Sequence, residues 1–205
     1  MKRVKAWANE FREHSNLIFI SIAFFVIALA IDYISESYVN TVRTVVASDL
    51  ILDHIPVVDL SFLFFYGFEI VIAVLLLYPL FFNIKEFHIA VSQFSLLVLI
   101  RSFFIALTHL GTPVNAIPIY SSHLYNWLVF QNDLFFSGHT AAPFLGFLIF
   151  RKEKIGIFFL IATVVLAATV LFMHVHYSID VFAALFITYG SYQLGKLLFK
   201  KINNY

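Results

Sequence analysis

Six stretches of mainly apolar residues, each long enough to cross a lipid bilayer, constrain this sequence more than any other feature. A helix that spans the hydrocarbon core needs about 20 such residues. The stretches lie at about residues 16–34, 61–82, 88–108, 134–150, 155–173 and 177–198. Because 61% of the residues are hydrophobic and only 12% are charged, the composition is not that of a soluble globular domain. We predict an all-α polytopic membrane protein, a six-transmembrane-helix bundle in which residues 1–205 form a single domain.

The basic residues are distributed by loop, and this distribution predicts the orientation. Eleven of the 13 Lys and Arg residues lie in the two termini and in the second and fourth loops: Lys2, Arg3, Lys5, Arg12, Lys85, Arg151, Lys152, Lys154, Lys196, Lys200 and Lys201. The opposite side keeps only Arg43. By the positive-inside rule both termini are cytoplasmic, in a plasma or inner membrane. Because the cations form no patch, nothing indicates binding to nucleic acid.

The first stretch has a second interpretation. A basic start, an apolar run over residues 17–26 and the triplet Ala28-Leu29-Ala30 also fit a secretory signal with a cleavage site. Cleavage there leaves the orientation of the later spans unchanged. The chain has no Cys, so disulfides and thiol chemistry do not enter.

Ionisable residues inside the predicted spans gather in the outer half of the membrane. Such residues cost about 2.5 to 3.5 kcal/mol each to insert, so they are functional candidates by default. Arg101 lies late in the third span, and Glu69 lies about two turns into the second. His139 and Asp180 lie near the starts of the fourth and sixth spans. With the predicted orientation, all four lie near the exoplasmic face.

The segment HVHYSID, residues 174–180, places His176 four residues before Asp180. On a helix this spacing puts both side chains on one face, within reach of each other. A carboxylate that accepts a hydrogen bond from one imidazole nitrogen makes the other nitrogen a better nucleophile or base. This segment therefore predicts an activated histidine.

The segment NDLFFSGHT, residues 132–140, places Ser137 and Gly138 before His139 at a predicted helix start. Unpaired backbone N–H groups there bind anions such as phosphate, and glycine lets a ligand approach the backbone. Arg101 on a neighbouring helix adds a forked donor for phosphate oxygens. Two histidines, an anion site, an Arg and an Asp indicate phosphoryl transfer through a histidine.

Other interpretations stay open for several of these residues. Glu69 is equally well explained as a carboxylate hydrogen-bonded between helices, and Asp133 as a cap of the fourth helix. His174 fits a loop or interface residue. A hypothesis of another class is a non-catalytic membrane protein whose paired histidines hold haem or a metal ion.

These motifs together resemble the sphingomyelin synthase family, a branch of the type-2 phosphatidate phosphatase superfamily. The resemblance is carried by four segments in order between about residues 48 and 185: SDLILDHIP with the Phe-rich span that follows, IRSFFIALTHLGTP, DLFFSGHT and HVHYSIDV. It implies a six-helix bundle with an exoplasmic site. The further candidate substrate-binding residues are Arg101, Ser137, Gly138, Asp133, Glu69 and Tyr177.

The resemblance also implies a mechanism. His176 attacks a lipid phosphodiester, Asp180 orients and activates it, and His139 protonates the departing lipid alcohol. The phosphohistidine intermediate then passes its headgroup phosphate to a lipid alcohol, of the ceramide or diacylglycerol type, or to water. No cofactor and no metal are required by this chemistry.

The departures from the phosphatase branch bear on the substrate. That branch typically carries a Lys and Arg-Pro motif and an Arg six residues before the nucleophile, where this chain has Val170. Fewer cations suit a singly charged phosphodiester better than a doubly charged phosphomonoester. The leading prediction is a lipid phosphotransferase or phospholipase C-like enzyme, and the alternative is a lipid phosphomonoesterase or polyprenyl-diphosphate phosphatase.

Overall fold

The computed structural model of the protein describes residues 2–119 and 134–199, and these residues are mainly helical. Their α-helices are α1 (Lys2–Val39), α2 (Phe68–Phe82), α3 (Ile84–Leu107), α4 (Gly138–Phe150), α5 (Ile155–Phe172) and α6 (Ser178–Leu198). A 3-10 turn covers Leu52–His54, and a π-helical turn, Leu63–Gly67, leads into α2. Within the described ranges, pairing of the strand type is limited to an isolated bridge between Val45 and Leu110. The all-α class predicted from the sequence is therefore confirmed.

The helix bounds follow the predicted spans with two differences. α1 extends beyond the predicted 16–34 at both ends, because its polar ends continue the same helix. α4 begins at Gly138 instead of residue 134, which leaves 13 residues or about 20 Å of helix. By length and composition, four helices of the described chain suffice to cross a membrane: Lys5–Val39, Leu63–Phe82, α3 and α5. The count of six spans and the sides of the termini stay predictions.

α3 is the central helix of the bundle. In its most apolar window 56% of the residues are buried, against 17% in α1. α1 packs along α3, and α4 packs on both α5 and α6. Gly146 of α4 lies directly against the Phe159 ring of α5, where a Cβ atom has no space. Small residues of this kind let two helices approach closely, so α4 packs tightly on α5 at this point.

The ends of four helices meet at one end of the bundle, which we call the site end. Glu36, in the last turn of α1, forms an ion pair there with Arg101, about two turns before the end of α3. The starts of α4 and α6 are joined by a 3.4 Å hydrogen bond from the Ser137 N–H to the Asp180 carbonyl. These four helix ends therefore lie at the same end of the bundle, and the side of the membrane that this end faces stays a prediction.

Candidate active site

His176 and Asp180 form the buried pair that their spacing predicts. The distance from His176 Nδ1 to Asp180 Oδ2 is 3.1 Å, and both residues are buried. Because a carboxylate oxygen accepts, Nδ1 carries the proton and Nε2 of the neutral ring keeps its lone pair. Nε2 makes no hydrogen bond among the described residues. The geometry therefore suits a nucleophile at Nε2, with the carboxylate placed to stabilise the charged ring.

The backbone around this pair is held by carboxylates at the start of α6. Asp180 Oδ2 also accepts the Tyr177 N–H at 3.0 Å. Asp49, from the loop after α1, accepts the Ser178 N–H at 2.7 Å. Burial raises the pKa of Asp49, but backbone N–H donors, Leu52 and Ser178 first, outweigh it and hold that pKa below its ordinary value. His176 therefore lies just before a helix start that is capped from within α6 and from a distant loop.

The start of α4 has the features of an anion site. Its N-cap residue, Ser137, is fully buried, makes no capping hydrogen bond, and has a hydroxyl without a partner among the described residues. The backbone N–H groups of Gly138 and His139 also have no acceptor among the residues that the structure describes. A Cβ atom added to Gly138 would lie 3.5 Å from Arg101 Nε. The guanidinium thus lies beside the helix start, as the sequence predicted.

His139 is held against the π-helical turn. Its ring stacks on Phe64 and Phe68, with centroids 4.0 and 4.3 Å apart, and its Nε2–H donates to the Phe64 carbonyl at 3.2 Å. π-Helical turns are frequent at functional sites. Because Nε2–H already donates to the Phe64 carbonyl, Nδ1 is the ring nitrogen left for proton exchange with a substrate. The sequence predicted an acid at this position but not which nitrogen serves.

Arg101 has two partners that the sequence analysis missed. Its Nη1 donates to Asp32 at 3.2 Å and to Glu36 at 3.0 Å. Ser102 also donates to Asp32, at 2.7 Å. The available signal was Asp32 near the end of the first apolar stretch, with Glu36 four residues later, since a carboxylate at the depth of Asp32 requires a partner.

The structure does not bring all the predicted residues to the site. Glu69 follows Phe68 in α2, but its side chain is exposed and makes no hydrogen bond among the described residues. The Tyr177 hydroxyl accepts the Ala47 N–H at 3.0 Å and donates to the Gly111 carbonyl at 2.9 Å, so it joins two loops. Tyr177 is only 2% exposed, which makes it a packing residue there. Asp133 lies outside the described residues.

The chain entering each of the two helices contains one residue with a left-handed backbone. Phe135, before α4, has φ of 93°, and His174, before α6, has φ of 55°. Non-glycine residues adopt such angles at a cost of about 1 to 3 kcal/mol, and they cluster at functional sites. Both turns therefore hold the chain in a strained path just before a candidate catalytic histidine.

A groove of about 630 Å³ lies beside the 174–178 segment. Its lining includes Asp49, His174 and Tyr177 but neither His139 nor His176. His174 is buried, and its Nε2 has no partner within the described chain. Among the residues that the structure describes, no group of three or more His, Cys, Asp or Glu side chains is arranged to hold a metal ion.

Comparison with known proteins bears on the same part of the chain. Residues 132–197, about a third of the sequence, match the family model described as PAP2 superfamily C-terminal. The matched segment includes His139, His176 and Asp180 but not Arg101. No curated protein and no solved structure matches the chain. The family match supports membership of the PAP2 superfamily, whose members are phosphatases and phosphotransferases, and with it a lipid phosphatase or phosphotransferase type of function.

Proposed function

We propose that this protein is a membrane lipid phosphotransferase or phospholipase C-like enzyme that acts on phospholipids of the outer leaflet. The observation that carries the proposal is the buried His176–Asp180 pair at the end of the bundle where α4 begins with unpaired N–H groups beside Arg101. A nucleophile with a carboxylate partner and a separate anion site are the two parts that phosphoryl transfer requires. The exoplasmic location follows from the distribution of basic residues.

The first step forms a phosphohistidine. His176 Nε2 attacks phosphorus, and the bond from phosphorus to the lipid oxygen breaks with its electron pair on that oxygen. The departing alkoxide takes a proton from His139 Nδ1, so a neutral lipid alcohol leaves. Asp180 stabilises the positive charge that develops on the attacking ring. The N–H groups of α4 and the Arg101 guanidinium hold the phosphoryl oxygens.

The second step regenerates the enzyme. His139, now neutral, accepts the proton of a lipid alcohol or of water, and the acceptor oxygen attacks phosphorus. The bond from phosphorus to Nε2 breaks, and its electron pair returns to His176. A lipid acceptor yields a new phospholipid, whereas water yields a free phosphorylated headgroup.

Purified protein in detergent, given a phospholipid labelled in its headgroup, tests the proposal. We expect the label in a second lipid when ceramide or diacylglycerol is added, or in a water-soluble phosphate ester without acceptor. His176→Ala should abolish both products, because no other residue can take the phosphoryl group in this scheme. The phosphorylated intermediate should be detected by mass spectrometry on the peptide that contains His176.

His54→Ala is the matched control, since His54 is an exposed histidine in the loop after α1 whose ring bonds to the nearby Leu50 carbonyl. This variant should retain wild-type activity. Full activity in His176→Ala, or no product from the wild-type protein with any phospholipid tried, contradicts the proposal. Release of inorganic phosphate from a phosphatidate in place of these products identifies the phosphomonoesterase alternative.

A further inference from the structure

We propose that Asp32 and Glu36 of α1 determine which charge state of phosphate the site accepts, by offsetting the positive charge of Arg101. In this scheme the pair favours singly charged phosphodiesters over doubly charged phosphomonoesters. The inference rests on the proposed function and names two specificity-determining residues for it. Neither residue lies in the segment that matches the PAP2 family model.

The contacts around Arg101 form a compact buried cluster. Nη1 donates to Asp32 Oδ1 at 3.2 Å, to Asp32 Oδ2 at 3.4 Å and to Glu36 Oε1 at 3.0 Å. The side chains of Arg101, Asp32 and Glu36 are 12%, 17% and 9% exposed, so water screens these charges only weakly. Ser102, itself fully buried, donates to Asp32 and holds that carboxylate on α3.

The same guanidinium also reaches the anion site. All three described bonds to the carboxylates use Nη1, whereas Nε lies beside Gly138 at the start of α4. A guanidinium has five N–H donors in a planar fork, so binding carboxylates through one nitrogen does not prevent contact with phosphate through another edge. Asp32 and Glu36 therefore act on the substrate through Arg101.

The net charge of Arg101, Asp32 and Glu36 together is never positive while at least one carboxylate is ionised. It is zero with one ionised carboxylate and −1 with two. Arg101 is the single Lys or Arg between Lys85 and Arg151 in the sequence. Lys85 is 16 residues earlier on α3, about 24 Å along the helix. Arg43, in the loop after α1, is exposed to solvent. Among the described residues at the start of α4, Arg101 is thus the strong cation, and it is already paired with carboxylates.

A second negative charge on the substrate is therefore disfavoured. A phosphodiester carries one charge, which the α4 N–H groups and part of the Arg101 field can balance. A phosphomonoester at neutral pH carries up to two, because its second pKa is near 6. The carboxylates of Asp32 and Glu36 repel this extra charge, and water screens the repulsion only weakly. In such a site a unit charge several ångströms away changes the affinity for the substrate by about tenfold or more.

Two isosteric variants test this assignment. Asp32→Asn and Glu36→Gln each keep an oxygen that accepts from Arg101 but lose the negative charge. For each protein, kcat/KM is measured with a phosphatidate and with a phospholipid diester that has the same acyl chains. We expect the ratio of phosphomonoester to phosphodiester activity to rise about tenfold or more in at least one variant. The rise should appear mainly in KM for the phosphomonoester.

Asp53→Asn is the matched control, because Asp53 is an exposed carboxylate in the loop after α1. It should leave the ratio at the wild-type value. Asp32→Glu retains the negative charge. Its ratio of phosphomonoester to phosphodiester activity should therefore stay within about threefold of the wild-type ratio.

An unchanged ratio in folded Asp32→Asn and Glu36→Gln overturns the inference while leaving the proposed function intact. Failure of both variants to fold also overturns it, since the pair then serves only to hold α1 on α3. No activity of the wild-type protein on either substrate overturns the proposed function itself.

Discussion

Replacing Asp180 by Asn tests the role of the carboxylate at its most sensitive point. The change keeps the size of a fully buried side chain and one oxygen that can accept the Tyr177 N–H. It removes the negative charge that faces His176 at 3.1 Å. The fold is therefore expected to survive, while the attacking ring loses the group that stabilises its developing positive charge.

The magnitude follows from that distance. At an effective dielectric constant of about 20, unit charges 3.1 Å apart interact by about 5 kcal/mol. Since about 1.4 kcal/mol corresponds to a factor of ten in rate, full loss of this interaction lowers kcat by about 10⁴. The charge is only partly developed in the transition state, so we expect a decrease in kcat of about 10² to 10⁴.

The assay is steady-state transfer or hydrolysis of a labelled phospholipid by purified wild type and Asp180→Asn, with the thermal unfolding midpoint of each protein in the same detergent. Asp59→Asn, which changes an exposed carboxylate that bonds to Ser61, controls for loss of a charge in the loop between α1 and α2. A variant that unfolds at the wild-type temperature and loses less than tenfold in kcat refutes the role assigned to Asp180.

Two further changes test the anion site and the cap of α6. Gly138→Ala adds a methyl group 3.5 Å from Arg101 Nε, which is an ordinary contact, so we expect normal stability. Because the methyl group lies between the helix start and a bound phosphate, kcat/KM should fall at least about tenfold. Unchanged activity would show that phosphate does not bind at the start of α4. Asp49→Asn weakens the cap on the Ser178 N–H and should lower the free energy of unfolding by about 1 to 2 kcal/mol at neutral pH. The folded state lowers the pKa of Asp49, so this stability difference is fully present above the unfolded pKa of about 4 and disappears as pH falls through the lower folded pKa. Denaturant unfolding of wild type and variant should therefore show a larger difference at pH 7 than at pH 3. An equal difference at the two pH values would contradict the assignment.

Residue spacing accounts for the parts of the site that lie within one helix or at its first turn. The four-residue separation predicted the His176–Asp180 pair, and the Ser-Gly before His139 predicted an unpaired helix start. Both are local, although the first is not a pair within a helix: His176 precedes the N-cap Tyr177, and Asp180 in the first turn of α6 bonds back to His176 and to the Tyr177 N–H. The sequence also predicted Arg101 near Gly138, because both were placed in the outer half of the membrane on different helices.

Contacts between distant segments are not encoded by spacing, and here the structure changed the interpretation. Tyr177 was a candidate substrate-binding residue, but its hydroxyl joins the loops at Ala47 and Gly111. Glu69 shared the depth of the site, yet depth does not specify which face of a helix is turned inward, and its side chain is exposed.

The sequence by itself determined the all-α membrane class and the local pairing of His176 with Asp180, because composition, helical periodicity and a four-residue spacing act along the chain. Only the tertiary structure decided the partners of Arg101 and the nitrogen that His139 keeps available. Those features depend on how α1 packs on α3 and how the π-helical turn meets α4. Such packing is the joint result of many apolar contacts between segments far apart in sequence, so no short motif specifies it.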